Sequence, residues 1–136
     1  MLTINHMDQP NQNRVRTVLL AEDNQFIQRG YKAAIEEAGY AVITVSNGAD
    51  VVPHIVEHLP DIVVLDLILP NKTGFDILKE LRADDRFRTL PIIVATSLGQ
   101  DEDRQKADAL GATDYLIKSH VTIHTLITKI DTALGV

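Results

Sequence analysis

Cysteine is absent from the 136-residue chain, which excludes disulfides and cysteine-ligated metal centres and removes any need for an oxidising compartment. A reducing cytoplasm is the setting this composition points to. Also missing is a cluster of Lys and Arg: with 13 basic against 19 acidic residues and a net charge of −6, no patch is available to neutralise a nucleic-acid backbone. Every apolar run is broken by charge, Pro or Gly within a few residues, far short of the roughly 20 residues of a membrane span. Proteins and cations are the partners left. Glycine is never clustered, with Gly30, Gly39, Gly48, Gly74, Gly99 and Gly111 each standing alone, which argues against a phosphate-cradling nucleotide loop.

What is present suffices for one domain. A content of 45% hydrophobic residues can fill one core, and the length leaves no room for a second folded unit. Residues 1–16 read as a flexible leader. They are polar through Asn5, Asp8, Gln9, Asn11, Gln12 and Asn13, lack the basic start and apolar stretch of an export signal, and leave Met7 open as an alternative natural start. Residues 17–136 read as the folded domain.

Within it, short apolar runs alternate with segments of helical period, the pattern of repeated β-α units on a parallel sheet. Five units fit. Gln25 to Ala38 carries Ile27, Tyr31, Ala34, Ile35 and Ala38 on one face, with Asn24 as N-cap and Gly39 as stop. Ala41 to Val45 alternates as a strand. Val51, Val52, Ile55, Val56 and Leu59 mark a second helix, whose Pro53 is expected in or near the first turn and which Pro60 ends. The unbroken Ile62-Val63-Val64-Leu65 and Ile92-Ile93-Val94 predict central strands covered on both faces, whereas the shorter Tyr115-Leu116-Ile117 suits an edge. Between the central strands a helix bears Phe75, Leu78 and Leu81, and Ile123, Leu126, Ile127, Ile130 and Leu134 define the last helix. The fourth helix, Gln100 to Asp108, is mostly charged, with Ala107, Ala109 and Leu110 alone to bury, so its local stability is expected to be low.

The strand ends carry the chemistry. Glu22-Asp23 follows the first apolar run, Asp66 closes the third, Thr96 the fourth and Lys118 the fifth. In an open parallel sheet ligands bind at the carboxyl ends of the strands, and in a doubly wound, flavodoxin-like order of 2-1-3-4-5 the crevice lies between the first and third strands. Three carboxylates converge there. A divalent cation and an ammonium group from a neighbouring strand relieve their repulsion; Lys118 supplies the ammonium, and Mg²⁺ suits the cation because it takes one or two carboxylates plus waters and phosphate oxygens. The site contains no His or Cys, against zinc. A carboxylate is a competent nucleophile toward phosphorus, and Asp66, held between Leu65 and Leu67 at the end of a buried strand, is the candidate acceptor.

In these residues the chain resembles the receiver domain of two-component response regulators, from about Thr17 onward. The resemblance implies that Glu22 and Asp23 match the metal-binding acidic pair, and that Asp66, followed by Leu69-Pro70 and Gly74, is the phosphoacceptor, with the Ile68 backbone carbonyl as a further metal ligand. Thr96 matches the switch hydroxyl, Lys118 the phosphoryl-binding lysine, and Tyr115 the aromatic that turns inward on phosphorylation. It further implies a (βα)5 fold, Mg²⁺ as cofactor, and a sensor histidine kinase or histidine phosphotransfer protein as phosphoryl donor. The expected output is through protein contacts of the fourth and fifth helices with a downstream target, as in a single-domain regulator. Such a module is not a turnover enzyme on small molecules.

One position departs from the family pattern. Ser119 stands where a proline usually follows the lysine, often after a cis bond; since a non-proline cis bond costs roughly 3–4 kcal/mol, a trans or visibly strained Lys118–Ser119 bond is expected. Ile68 and Leu98 are expected to flank the phosphoryl site with apolar bulk, leaving no group to orient water and predicting slow loss of the phosphoryl group. A haloacid-dehalogenase-type phosphatase would need a second Asp where Ile68 stands. The remaining alternative is a degenerate receiver that serves only for docking. His54 with His58 and His120 with His124 share a four-residue spacing, and both pairs read as solvated.

Overall fold

The computed structural model describes residues 14–136. Five parallel strands, β1 (Thr17–Ala21), β2 (Ala41–Val45), β3 (Ile62–Leu65), β4 (Ile92–Thr96) and β5 (Asp114–Ile117), form one sheet in the order β2-β1-β3-β4-β5. They alternate with α1 (Gln25–Glu37), α2 (Gly48–His58), α3 (Gly74–Ala83), α4 (Asp101–Ala109) and α5 (Ile123–Ala133), with a short 3-10 turn at Asp85–Phe87. This is the expected doubly wound, flavodoxin-like α/β fold. As the unbroken apolar runs predicted, β3 and β4 are internal and buried along their length, and β5 is an edge.

Because successive strand residues point to opposite faces, each strand feeds two cores. Leu19, Val63, Leu65, Ile92 and Val94 pack with Val51 and Ile55 of α2, Ile77, Leu78 and Leu81 of α3 and Ala107 of α4. Val18, Leu20, Ile62, Val64, Ile93 and Ala95 pack with Ile35 of α1 and Leu126 and Ile130 of α5. The Tyr40 hydroxyl, just before β2, donates to the Asp131 carboxylate and ties α5 to that end of the sheet. No helix among the described residues is long and apolar enough to cross a membrane.

Several local expectations change. Asn47 caps α2 by accepting from the Ala49 N–H, so the helix begins at Gly48 and Pro53 falls in its second turn. The carbonyl of Ala49 thereby loses its usual donor, which is tolerable because Ala49 and Pro53 both face solvent. Val56 and Leu59 are exposed, and Leu59 ends the helix in the left-handed region at φ 48°. Ala38 lies beyond the last turn of α1 and is exposed, as is Ala109 on α4, which buries Ala107 alone. Ile77, absent from the expected face of α3, is fully buried. The leader expected over 1–16 falls, for residues 1–13, outside the described residues. Arg14 makes a two-pronged pair with Asp61, at 2.5 and 3.0 Å, and the Thr17 N–H donates to the same carboxylate at 2.7 Å.

Candidate functional site

Register sets the site. Ala21 pairs with Leu65, so the following residues, Glu22 and Asp66, leave adjacent strand ends at the same level. Their backbones stay in the sheet's pattern: the Asp66 N–H donates to the Ala21 carbonyl at 3.0 Å, and that of Glu22 to Val45 at 3.0 Å. Thr96 pairs with Ile117, and the Lys118 N–H donates to the Thr96 carbonyl at 2.8 Å, which carries Lys118 to the same edge.

Carboxylate oxygens of Glu22, Asp23 and Asp66 all lie within 4.8 Å of one another. Glu22 and Asp66 are only 2% and 6% exposed, and buried charge at that depth requires compensation. Lys118 provides it, its ammonium group donating to Asp66 Oδ2 at 2.8 Å and to Glu22 Oε1. Burial alone would lower the Lys118 pKa, but the hydrogen bonds and charges of Asp66 and Glu22 outweigh it and hold the group above the ordinary lysine range. The second oxygens are also engaged: Glu22 Oε2 accepts from the Asn24 N–H and Asp66 Oδ1 from that of Ile68 at 3.1 Å. Three carboxylates against one ammonium leave a formal charge of −2. That excess matches one divalent cation, and an all-oxygen donor set suits a hard ion.

The loop after Asp66 is clamped from both sides. Gly48, at the start of α2, donates to the Pro70 carbonyl at 2.9 Å, and a Cβ there would stand 1.9 Å from the Lys72 carbonyl oxygen. Gly74, at the start of α3, donates to Leu67 at 2.9 Å, and its Cβ would stand 2.4 Å from the Asp66 carbonyl oxygen. Only glycine permits these approaches. Asp66 and the backbone of Ile68 are thus held on a loop with little freedom.

A cleft of about 440 Å³ opens over this cluster, lined by Glu22, Asp23, Asp66, Ile68 and Lys118 together with Asn24, Ile27, Ser97 and Ser119. Thr96 does not line it; the side chain is fully buried, and its hydroxyl accepts from the Leu98 N–H at 3.4 Å. Leu98, expected to flank the cleft, packs against the core instead, and Ser97 takes the place beside the site. Apolar bulk is therefore present at Ile68 and Ile27, whereas Ser97 and Ser119 bring hydroxyls to the lining. No peptide bond among the described residues is cis, so Lys118–Ser119 is trans, and the turn closes through the His120 N–H on Ile117 at 2.9 Å. Tyr115 is already turned inward, 4% exposed, and its hydroxyl donates to the Leu98 carbonyl at 2.7 Å.

One residue escaped the sequence reading. Gln28, buried on α1, donates from Nε2 to the Glu22 carbonyl at 2.7 Å and to Ser46 Oγ at 3.1 Å, tying the turn that bears the acidic pair to α1 and to the β2–α2 loop. Its only sequence signal was a polar residue one position after Ile27 and three before Tyr31, indistinguishable from a solvated position.

Residues 18–131 match the family model of the response regulator receiver domain. The polar-differentiation response regulator DivK of Brucella anthropi is 29% identical over 120 residues, which cover 88% of this chain and 97% of DivK. The transcriptional regulatory protein GltR of Pseudomonas aeruginosa is 35% identical over 103 residues, 76% of this chain but 43% of GltR. Among solved structures, the chemotaxis protein CheY4 of Vibrio cholerae superposes with a TM-score of 0.81 at 27% identity, over 88% of this chain and 99% of CheY4. Since the family match takes in all five strands but for Thr17, nearly all of α5 and the entire acidic cleft, the chain belongs to the response regulator receiver domains, the signalling modules of two-component systems.

Proposed function

We propose that the chain is a phosphoacceptor receiver that takes a phosphoryl group onto Asp66 from the phosphohistidine of a sensor histidine kinase or histidine phosphotransfer protein. The observation that carries this is the Lys118 ammonium shared between the buried carboxylates of Glu22 and Asp66, with Asp23 beside them. Attack by an Asp66 oxygen forms a P–O bond as the P–N bond to the donor imidazole breaks, and the imidazole leaves with its electron pair. Lys118, released from Asp66, follows the transferred group and neutralises one of its oxygens. Glu22, Asp23, Asp66 and the Ile68 carbonyl would hold Mg²⁺, which supplies charge neutralisation of the phosphoryl oxygens.

The output rests on Thr96 and Tyr115. When the Thr96 hydroxyl exchanges the Leu98 N–H for a phosphoryl oxygen, the segment carrying Leu98 moves with it, and the Tyr115 hydroxyl is bonded to that same residue. A shift there reaches α4 and changes the face offered to a downstream protein. The setting proposed for this exchange is the cytoplasm.

Intact mass after incubation with acetyl phosphate, with and without Mg²⁺, tests the proposal against Asp66→Asn. The expected result is one phosphate, dependent on Mg²⁺ and lost in the variant. No incorporation by the wild type would leave a docking-only domain, with Ser119 as the first position to restore to proline.

A further inference from the structure

We infer that His54 and His58 form a binding site for a divalent transition-metal ion of the imidazole-preferring class, such as Zn²⁺ or Ni²⁺, on the surface of α2. The site is separate from the acidic cleft and does not depend on the phosphoacceptor proposal. Two pairs of histidines share the same spacing in the sequence, and the structure separates them. His120 lies before the start of α5 at Ile123, so its spacing to His124 is not a helical one. His54 and His58 both belong to α2, where residues four apart stand on one face. Their rings are stacked, with centroids 5.8 Å apart and planes inclined by 28°.

Hydrogen bonding assigns the ring proton of His54. His54 Nδ1 lies 2.8 Å from the Asp50 carbonyl oxygen, which can only accept, so Nδ1 carries the hydrogen and Nε2 keeps a free lone pair. His58 Nε2 lies 2.8 Å from Glu57 Oε2, a close charge contact that leaves its ring exposed beside that of His54. The His54 imidazole therefore donates one N–H to an oxygen and offers the other nitrogen. Metal-ligating histidines are supported in this way, by a carbonyl or carboxylate that sets tautomer and orientation and raises basicity. Bringing His54 Nε2 and a His58 nitrogen onto one ion, at roughly 2.0–2.1 Å each, requires rotation of the exposed His58 side chain away from Glu57. Two nitrogens suit Zn²⁺, Ni²⁺ or Cu²⁺ and offer little to Mg²⁺.

Calorimetric titration of the full chain with ZnCl₂ and NiCl₂, in excess Mg²⁺ to occupy the acidic cleft, tests the site against His54→Ala, His58→Ala and His124→Ala, each checked by circular dichroism. The expected result is 1:1 binding that weakens at least about tenfold in each of the first two variants, in line with losing one of two ligands, and is unchanged in the third. At a free-ion concentration about a hundred times Kd, the folding equilibrium constant should rise about a hundredfold, seen as a higher Tm that His54→Ala abolishes. A second measurement needs no variant: paramagnetic Ni²⁺ should broaden the imidazole NMR signals of His54 and His58 before any others. Absence of binding, equal affinity in His54→Ala, loss in His124→Ala, or first broadening around Asn24 in the cleft would each overturn the site.

Discussion

The two sides of the sheet's carboxyl edge are built to different standards. On one side the loop from Asp66 to Thr73 is gripped by Gly48 and Gly74 at contacts that exclude any larger residue, and α3 behind it buries Ile77, Leu78 and Leu81 and is capped by Thr73 on the Asp76 N–H. On the other side α4 buries Ala107 alone, and its N-cap Gln100 makes no side-chain cap hydrogen bond. What holds α4 includes two cations over aromatic rings, Lys106 at 4.3 Å from the centroid of Phe75 and Arg104 at 5.9 Å from that of Tyr115. Apolar burial contributes in proportion to area, whereas exposed cation–ring contacts contribute about 0.5–1 kcal/mol each. The difference suits the proposed switch, in which Asp66 would stay in place while a neighbouring surface changes.

The largest effects should come from loosening the firm side. Leu78→Ala is expected to cost about 2–5 kcal/mol, and Gly48→Ala at least the roughly 1–3 kcal/mol of an overpacked contact, both read from urea unfolding. Losses under 1 kcal/mol for both would erase the contrast. Next, Gln28→Leu removes the amide that holds the Glu22 carbonyl. Loss of such a support should weaken Mg²⁺ affinity about 10–100-fold in an NMR titration, with little change in the unfolding midpoint; an unchanged Kd would reduce Gln28 to packing.

Smaller effects are expected on the α4 side. Tyr115→Phe gives up the bond to Leu98 and should cost about 1 kcal/mol. Burial raises the Tyr115 pKa, with Asp103 adding to it and Arg104 opposing. A folded-state pKa above the unfolded value means that this stabilisation is complete below the ordinary tyrosine value near 10 and is lost as pH climbs through the raised one. Between those two values stability should therefore fall with pH less steeply in Tyr115→Phe than in the wild type. Lys106→Met, the mildest change, should cost about 0.5–1 kcal/mol and speed amide exchange in α4 while leaving α3 protected. Equal protection of the two helices in the wild type would refute the comparison at its root.

Much of the site was legible because its residues sit where local pattern runs out. Glu22, Asp23, Asp66 and Lys118 each follow an apolar strand, and a polar residue at that point of a parallel sheet faces the ligand edge. Thr96, at the end of the next strand, reached that edge only in backbone, with its side chain fully buried and Ser97 lining the cleft instead. Residues whose role depends on a partner elsewhere in the chain were illegible. Gln28 looks like a solvated helix position until Glu22 and Ser46 surround it. Tyr115 was expected to turn inward on phosphorylation, and is already bonded to Leu98. Pro53 misplaced the start of α2 because the capping Asn47 lies well before the apolar positions that mark the helix.

Alternation of apolar and helical periods by itself determined the five β-α units, the central place of β3 and β4, and the identity of the strand-end residues, since periodicity records which face of each element meets the core. Only the tertiary structure decided that three carboxylates meet within 4.8 Å and that the Lys118 ammonium group bridges Asp66 and Glu22, the latter 96 residues before it in the chain. Those distances follow from strand order, register and side-chain packing, which join residues far apart in sequence and leave no trace in any local repeat.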